Sequence, residues 1–303
     1  MSKKSAKIAV TYFTTIIASL AVVGGVSWFM LGPYLMGETP KTPDVPLQTT
    51  APAPAAVNTS EYVPSIEDAQ TVLGIYDAGD RSSAVTFVLF RFLPSETKLM
   101  VVPLRSDILS REGTATIYDL YRSGGAQFVC RTIEGIIGYP VNKYVCLTDS
   151  SFQSFSDMCG SVTFDIPYNL IYESDNFNDN TVIKAGEQIL DSRTLRKVLI
   201  YPNYTGGEEY RSTVVGELVV AMMNNGSKGV FSTSLESVYD ELANSDALMD
   251  ISRYDFLDIQ PAIEYTLAHN SAPAQLVLPS GTQTDAGCVL DESFLEALPR
   301  YFE

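Results

Sequence analysis

Side chains that commonly carry catalysis are scarce in this chain. Its 303 residues include one histidine, His269, in the stretch Tyr265-Thr266-Leu267-Ala268-His269-Asn270, which reads as the end of a helix. A Ser-His-Asp triad or a histidine metal centre has little to work with here, since there is no second imidazole. The four cysteines, Cys130, Cys146, Cys159 and Cys288, fit no metal-ligand spacing. Cys130, Cys146 and Cys159 lie in apolar contexts and read as small buried core residues. A disulfide is the alternative if the domain faces an oxidising compartment.

Charge excludes more. There are 36 acidic and 20 basic residues, a net charge of −16. All the acidic residues but only 17 of the basic ones lie beyond residue 37, which leaves that part at −19, from 17 minus 36. A surface of this sign opposes nucleic acid and anionic head groups, and we read the acidity as a solubility device rather than cation storage.

The elements that carry the chain come in three parts. Ile8 to Leu31 is a run of 24 residues without a charge, preceded by Lys3, Lys4 and Lys7. As a helix it reaches ~36 Å, enough for a ~30 Å hydrocarbon core. It is too long for the apolar centre of a cleaved signal peptide and is followed by the bulky Gly32-Pro33-Tyr34-Leu35-Met36, so it reads as a retained anchor. The lysines keep residues 1–7 cytoplasmic and send the rest outside a cell membrane. Residues 38–65 hold Pro40, Pro43, Pro46, Pro52, Pro54 and Pro64, a semi-rigid spacer rich in Pro and Thr. Residues 66–303 are long enough for one large domain.

Within that domain, Ala84–Phe92 (AVTFVLFRF) and Leu99–Leu104 (LMVVPL) flank the polar turn Pro94–Lys98 and predict a β-hairpin. Helical periodicity marks Ala126–Ile137, Ser150–Met158 and Arg211–Met223, with stops at Gly138, Gly160 and Asn224-Asn225-Gly226. Further helices are expected at Ser234–Asn244 and Arg253–Asn270. Strands are expected at Val141–Leu147, Val162–Ile166 and Gln275–Leu278, and Thr194–Tyr201 is ambiguous. The alternation predicts an α/β layered fold, a central mixed sheet flanked by helices.

The order of these pieces resembles the LytR-CpsA-Psr family of cell-envelope proteins over about residues 70 to 290. The resemblance rests on the hairpin at Val85–Pro103, on Ile117–Gly125 (IYDLYRSGG), on Thr132–Val145 (TIEGIIGYPVNKYV), on Phe155–Pro167 ending GSVTFDIP, and on Ile183–Asp191 (IKAGEQILD). The last two are similar to the family phrases L-G-G-V-x-V-D-V-P and L-x-x-G-x-x-x-L-D-G. The resemblance implies transfer of a glycopolymer from a polyprenyl-pyrophosphate carrier to peptidoglycan. The lipid lies in an apolar cleft, arginines grip the pyrophosphate and carboxylates hold Mg²⁺. Guanidinium forks suit phosphate oxygens, and a metal neutralises charge that develops during transfer.

Carried over residue by residue, Arg81, Arg105 and Arg211 are the phosphate-binding candidates. Arg105 and Asp107 are the catalytic candidates, and Asp107 and Glu208 the metal ligands. The chain departs from the family pattern at the same places. Ser83 stands where an Arg-Ser-Asp-Thr-like phrase has its aspartate. Aligned on Pro103, Leu104 takes the arginine of I-P-R-D; a one-residue insertion restores Arg105 and Asp107. Thr116-Ile117-Tyr118 replaces K-x-N, and the paired arginines of Y-V-R-x-R fall near Leu199 and Tyr201. Each lost charge-assisted bond is worth roughly 1.5–3 kcal/mol, so two could cost a hundredfold or more in binding.

Two readings of function remain. One is a non-catalytic envelope module in cell-wall biogenesis that keeps the fold as a lipid or glycan sensor or scaffold, without a cofactor. The alternative is a divergent, Mg²⁺-dependent phosphotransferase, with Arg81, Arg105 and Arg211 converging on one anion. The first is favoured by the missing arginines. A transcriptional regulator, suggested only by the family's historical name, is opposed by outward topology and acidity.

Overall fold

The computed structural model describes residues 62–80, 83–172 and 181–303. The apolar run 8–31, most of the Pro-rich spacer and Arg81 lie outside the described residues. In chain order the elements are β1 (Gln70–Tyr76), β2 (Thr86–Leu93), β3 (Lys98–Leu104), α1 (Ile117–Ile137), β4 (Lys143–Leu147), α2 (Asp149–Cys159) and β5 (Val162–Ile166). They continue with β6 (Leu170–Tyr172), β7 (Thr181–Ile183), β8 (Gly186–Leu190), α3 (Ser192–Ile200), α4 (Gly207–Lys228), α5 (Val230–Asn244) and β9 (Leu248–Met249). Then come α6 (Arg253–His269), β10 (Ala274–Leu276), β11 (Gly281–Gln283), β12 (Cys288–Leu290), α7 (Glu292–Ala297) and α8 (Pro299–Phe302).

Six strands form the central sheet in the order β10-β3-β2-β1-β4-β9. β1 is antiparallel to β2 and parallel to β4; β3 is antiparallel to β2 and parallel to β10. The sheet is therefore mixed, as expected. Both faces are covered, which the strands show by burying residues of either parity. On one face Phe87, Leu89 and Leu73 pack with Ile117, Val129 and Ile133 of α1 and with Phe294, Leu298 and Phe302 of the C-terminal helices. On the other, Val88, Val101 and Tyr76 pack with α2, α3, α4 and α5.

Two close approaches fix these layers. At Gly216 of α4 a Cβ would lie 2.6 Å from both Leu276 Cδ1 and Pro103 Cγ, so the helix sits directly on β3 and β10. Arg91, buried on β2, donates through Nε (3.1 Å) and Nη2 (3.0 Å) to the carbonyl of Phe302 and through Nη1 to Thr71 Oγ1 (3.2 Å). The sheet thus holds the C-terminus by its main chain.

The hairpin, β4, α2, β5 and α6 match expectation to within a few residues. The Gly124-Gly125 pair does not precede the first helix. It interrupts it, because α1 starts at Thr116, whose side chain caps Asp119 N, and breaks at Gly125 with φ 71° and ψ −171°. The ambiguous 194–201 stretch is helical, with Asp191 as its cap. Asn224-Asn225-Gly226 does not end α4. Both amides turn outward, Asn224 to Ala274 and Asn225 to the carbonyls of Cys159 and Ser161, and the helix runs on to Lys228. All four cysteines are buried and free.

Candidate functional site

The ends of β1 and β3 lie on one edge of the sheet, two strand spacings or about 10 Å apart. This edge collects what the sequence singled out. Leu104, the last residue of β3, is 4 % exposed and faces the α1 side of the core. Arg105 follows it and turns onto Asp107. Nε donates to Oδ1 at 2.9 Å and Nη2 to Oδ2 at 2.8 Å, a bidentate pair. Nη2 also meets Gln283 Oε1 on β11, and Nη1 lies 4.0 Å from Glu209. The bond to Asp107 holds the Arg105 pKa above its ordinary value, against the effect of burial.

Glu208, in the first turn of α4, reaches back to the same loop. Its Oε2 accepts from Ser106 N (3.0 Å) and Ser106 Oγ (2.8 Å), which brings the α4 N-terminus against the β3 end. Arg211, one turn on, is 1 % exposed. Its Nη2 donates to Thr86 Oγ1 (2.8 Å), to Leu199 O (2.9 Å) and to Val85 O (3.3 Å), while Nη1 lies 3.4 Å from Glu208. Burial pulls its pKa down. Arg211 therefore clamps β2, α3 and α4 from beneath the edge.

Arg105, Asp107, Glu208 and Arg211 thus come together, and Arg81 lies outside the described residues. Ser83 belongs to the same β1–β2 turn, its N–H donating to Asp80 O at 3.1 Å. Leu199 and Tyr201, where the family has paired arginines, are 2 % and 6 % exposed. Leu199 packs in the core, and Tyr201 lies edge-on to Tyr172 and Tyr204. The carboxylates do not suit Mg²⁺. Both oxygens of Asp107 accept from Arg105, Glu208 Oε2 is engaged by Ser106 and Arg211, and among the described residues no three His, Cys, Asp or Glu side chains are placed to hold a metal ion. A hard dication needs several unengaged oxygens in one place.

Two hollows lie at the ends of the sheet. A polar recess of about 410 Å³ opens beside the ends of β1 and β4, where Asp77 pairs with Arg122 (3.3 Å) and Asp246 accepts from Thr148 Oγ1 (2.6 Å). An apolar cavity of about 320 Å³ lies at the opposite edge, between the sheet residues Val72, Phe92 and Leu99 and the helices α5 and α6. None of Arg105, Asp107, Glu208 and Arg211 lines it. Helical periodicity marked α5 and α6, but not the gap left between them. His269, at the α6 end, only stacks on Tyr265 and bonds its carbonyl (2.8 Å).

The chain is 21 % identical over 186 residues to the polyisoprenyl-teichoic acid–peptidoglycan teichoic acid transferase TagU of Bacillus licheniformis, covering 60 % of this chain and 59 % of that one. It is 24 % identical over 123 residues to TagU of Bacillus subtilis, covering 39 % and 40 %. It thus spans three-fifths or less of the length of these relatives. A transcription-regulator structure from Eubacterium siraeum superposes with a TM-score of 0.71 at 21 % identity, over 87 % of this chain and 98 % of the other. TagV of B. subtilis does so with 0.60 at 15 % identity, over 77 % and 95 %. At such identities these structures show a shared fold. The LytR_cpsA_psr family profile matches residues 71–267, most of the described domain, and the chain belongs to that family.

Proposed function

We propose that this is a single-pass cell-envelope protein with a degenerate pyrophosphate site, acting in cell-wall biogenesis as a non-catalytic lipid- or glycan-binding module or scaffold. Lys3, Lys4 and Lys7 stay cytoplasmic, Ile8–Leu31 spans the membrane, and the domain stands outside on its Pro-rich spacer. Its partners are the membrane, polyprenyl-linked glycan and peptidoglycan, the last two being named in what its TagU relatives are called.

The observation that carries the reading is the state of Arg105. A fork that grips pyrophosphate must present unpaired N–H groups, and this one commits Nε and Nη2 to Asp107 and Gln283, which leaves only Nη1, 4.0 Å from Glu209. Arg211 spends its own on main-chain carbonyls and Thr86. Charge that is already neutralised and desolvated adds little to anion binding. The alternative, a divergent phosphotransferase, draws on the gathering of Arg105, Asp107 and Glu208 at one strand edge.

Titration of the full chain in nanodiscs with inorganic pyrophosphate tests the reading. Wild type gives no saturable binding. Asp107→Asn, which releases the fork, gives saturable binding, one charge-assisted bond being worth about tenfold or more. Wild-type binding that Arg105→Ala abolishes would overturn the proposal.

A further inference from the structure

Five tyrosines gather where α3, α4 and the β5–β6 turn meet. Three are anchored through their hydroxyls. Tyr172, Tyr201 and Tyr204 donate to the carbonyls of Lys197, Ile171 (3.4 Å) and Val198 (3.0 Å). The other two come to the surface. Tyr168, between β5 and β6, and Tyr210, in the first turn of α4, lie nearly parallel, with ring centres 6.2 Å apart and planes 20° from each other. Tyr210 is 38 % exposed, and its hydroxyl has no partner among the described residues.

This pair is held from below. Tyr204, 5 % exposed, meets Tyr168 edge-on (6.1 Å, 71°) and Tyr210 at a tilt (6.3 Å, 53°). Thr205 N–H donates to the Tyr168 hydroxyl. Gly206 and Gly207 follow with φ of 104° and 70°, a conformation that residues with side chains avoid. A Cβ on Gly206 would meet Tyr210 Cβ at 3.0 Å. The loop thus packs against the root of Tyr210, and these two residues put no side chain over its ring. Rings fixed before a ligand arrives lose little freedom on binding it.

An α-helix turns about 100° per residue, so Tyr210 stands about 100° from Glu209 and about 160° from Glu208, which bonds Ser106 at the β3 edge. The pair therefore lies beside that edge and outside it, with Glu209 between. The Glu209 side chain is 82 % exposed and reaches Arg105 Nη1 only at 4.0 Å, beyond hydrogen-bond length, so its oxygens are open to hydroxyl donors. A flat aromatic face beside such an acceptor suits a pyranose. The C–H groups of one sugar face lie on the rings, and hydroxyls at its rim reach the carboxylate. Charge narrows the class. The chain beyond residue 37 carries −19, from 17 minus 36, so an anionic polymer laid beside Glu208 and Glu209 is repelled. Arg105 already opposes the Glu209 charge, so an ammonium gains little there. We propose that Tyr168 and Tyr210, with Glu209, bind an uncharged pyranose chain. This rests on the glycan-binding part of the proposed function and deepens it, giving the glycan a place, a charge class and two stacking residues.

The test is calorimetric titration of the full chain in nanodiscs with three tetrasaccharides: the neutral tetramer of N-acetylglucosamine, its fully deacetylated cationic form, and an anionic hyaluronan tetramer. The neutral tetramer is expected to bind at least about tenfold more tightly than the hyaluronan tetramer. Tyr210→Ala weakens that binding about tenfold, and Tyr210→Phe, which keeps the ring, stays within about twofold of wild type. Neutral-tetramer binding that Tyr210→Ala leaves unchanged, or tighter binding of either charged tetramer, would overturn this inference while leaving glycan binding in place. Binding of none of the three would overturn it too; if sedimented peptidoglycan also fails to carry the chain down, the glycan-binding reading falls with it.

Discussion

Arg211 separates a structural arginine from a phosphate-binding one, and Arg211→Met is the perturbation that does so. Methionine keeps the apolar stem and removes the fork. Leu199 O keeps the hydroxyl of Thr86 as a donor at 2.9 Å, but Val85 O and Thr86 Oγ1 each lose their bond from Nη2. Glu208 keeps Ser106. One stranded buried carbonyl costs about 1–3 kcal/mol, and the lost charge-assisted bonds to Thr86 and Leu199 bring the total to about 3–5 kcal/mol, the range for breaking a buried charged network from one side. Relief of the unpartnered Nε offsets a little of this. Guanidinium unfolding of the full chain should therefore shift to lower denaturant by that amount at unchanged slope. Arg211→Lys, which keeps the charge but not the fork, should recover part of it. A stability change below about 0.5 kcal/mol, together with loss of bound pyrophosphate, would refute the structural role.

Two further outcomes follow from packing and burial. Gly216→Ala should destabilise by about 1–3 kcal/mol in thermal unfolding despite alanine's better helix propensity, because the Pro103 ring it meets at 2.6 Å is tied to the strand. Burial pushes the thiols of Cys130, Cys146 and Cys159 up to about 12. In the folded chain they should react with a disulfide reagent at pH 8 roughly a thousandfold more slowly than a thiol of pKa ~8.5, and rapidly once denatured. The sign for stability follows. The raised thiol pKa values favour the fold fully below about pH 8.5 and lose that effect as pH climbs from there toward 12.

How much was legible depended on the kind of signal. The β2–β3 hairpin, β5 and the stop of α1 at Gly138 announce themselves through alternation and turn chemistry that act within a few residues. β1 did not, although it is central. Gly74 dilutes its strand signal, and only the fold reveals that Phe90 needs that space. The Asn224-Asn225-Gly226 stop failed because both amides find partners on other segments. Strands as short as β9 or β12 have no period to read. At the site, the residue types and their order gave the family, and the missing arginines pointed to a reduced anion grip. The sequence could not say that Arg211 is buried against Thr86, nor that Arg105 is held by Asp107 and a glutamine 178 residues away. Those facts are set by where β11 and α4 pack.

The proposed function turns on whether the β3 edge carries out transfer. The direct measurement is a transfer assay on the full chain in nanodiscs, with a labelled glycan on a prenyl pyrophosphate as donor and peptidoglycan as acceptor, with and without Mg²⁺. The expected result is no label in peptidoglycan above background in either condition. Label that accumulates with wild type and disappears with Arg105→Ala would contradict the account.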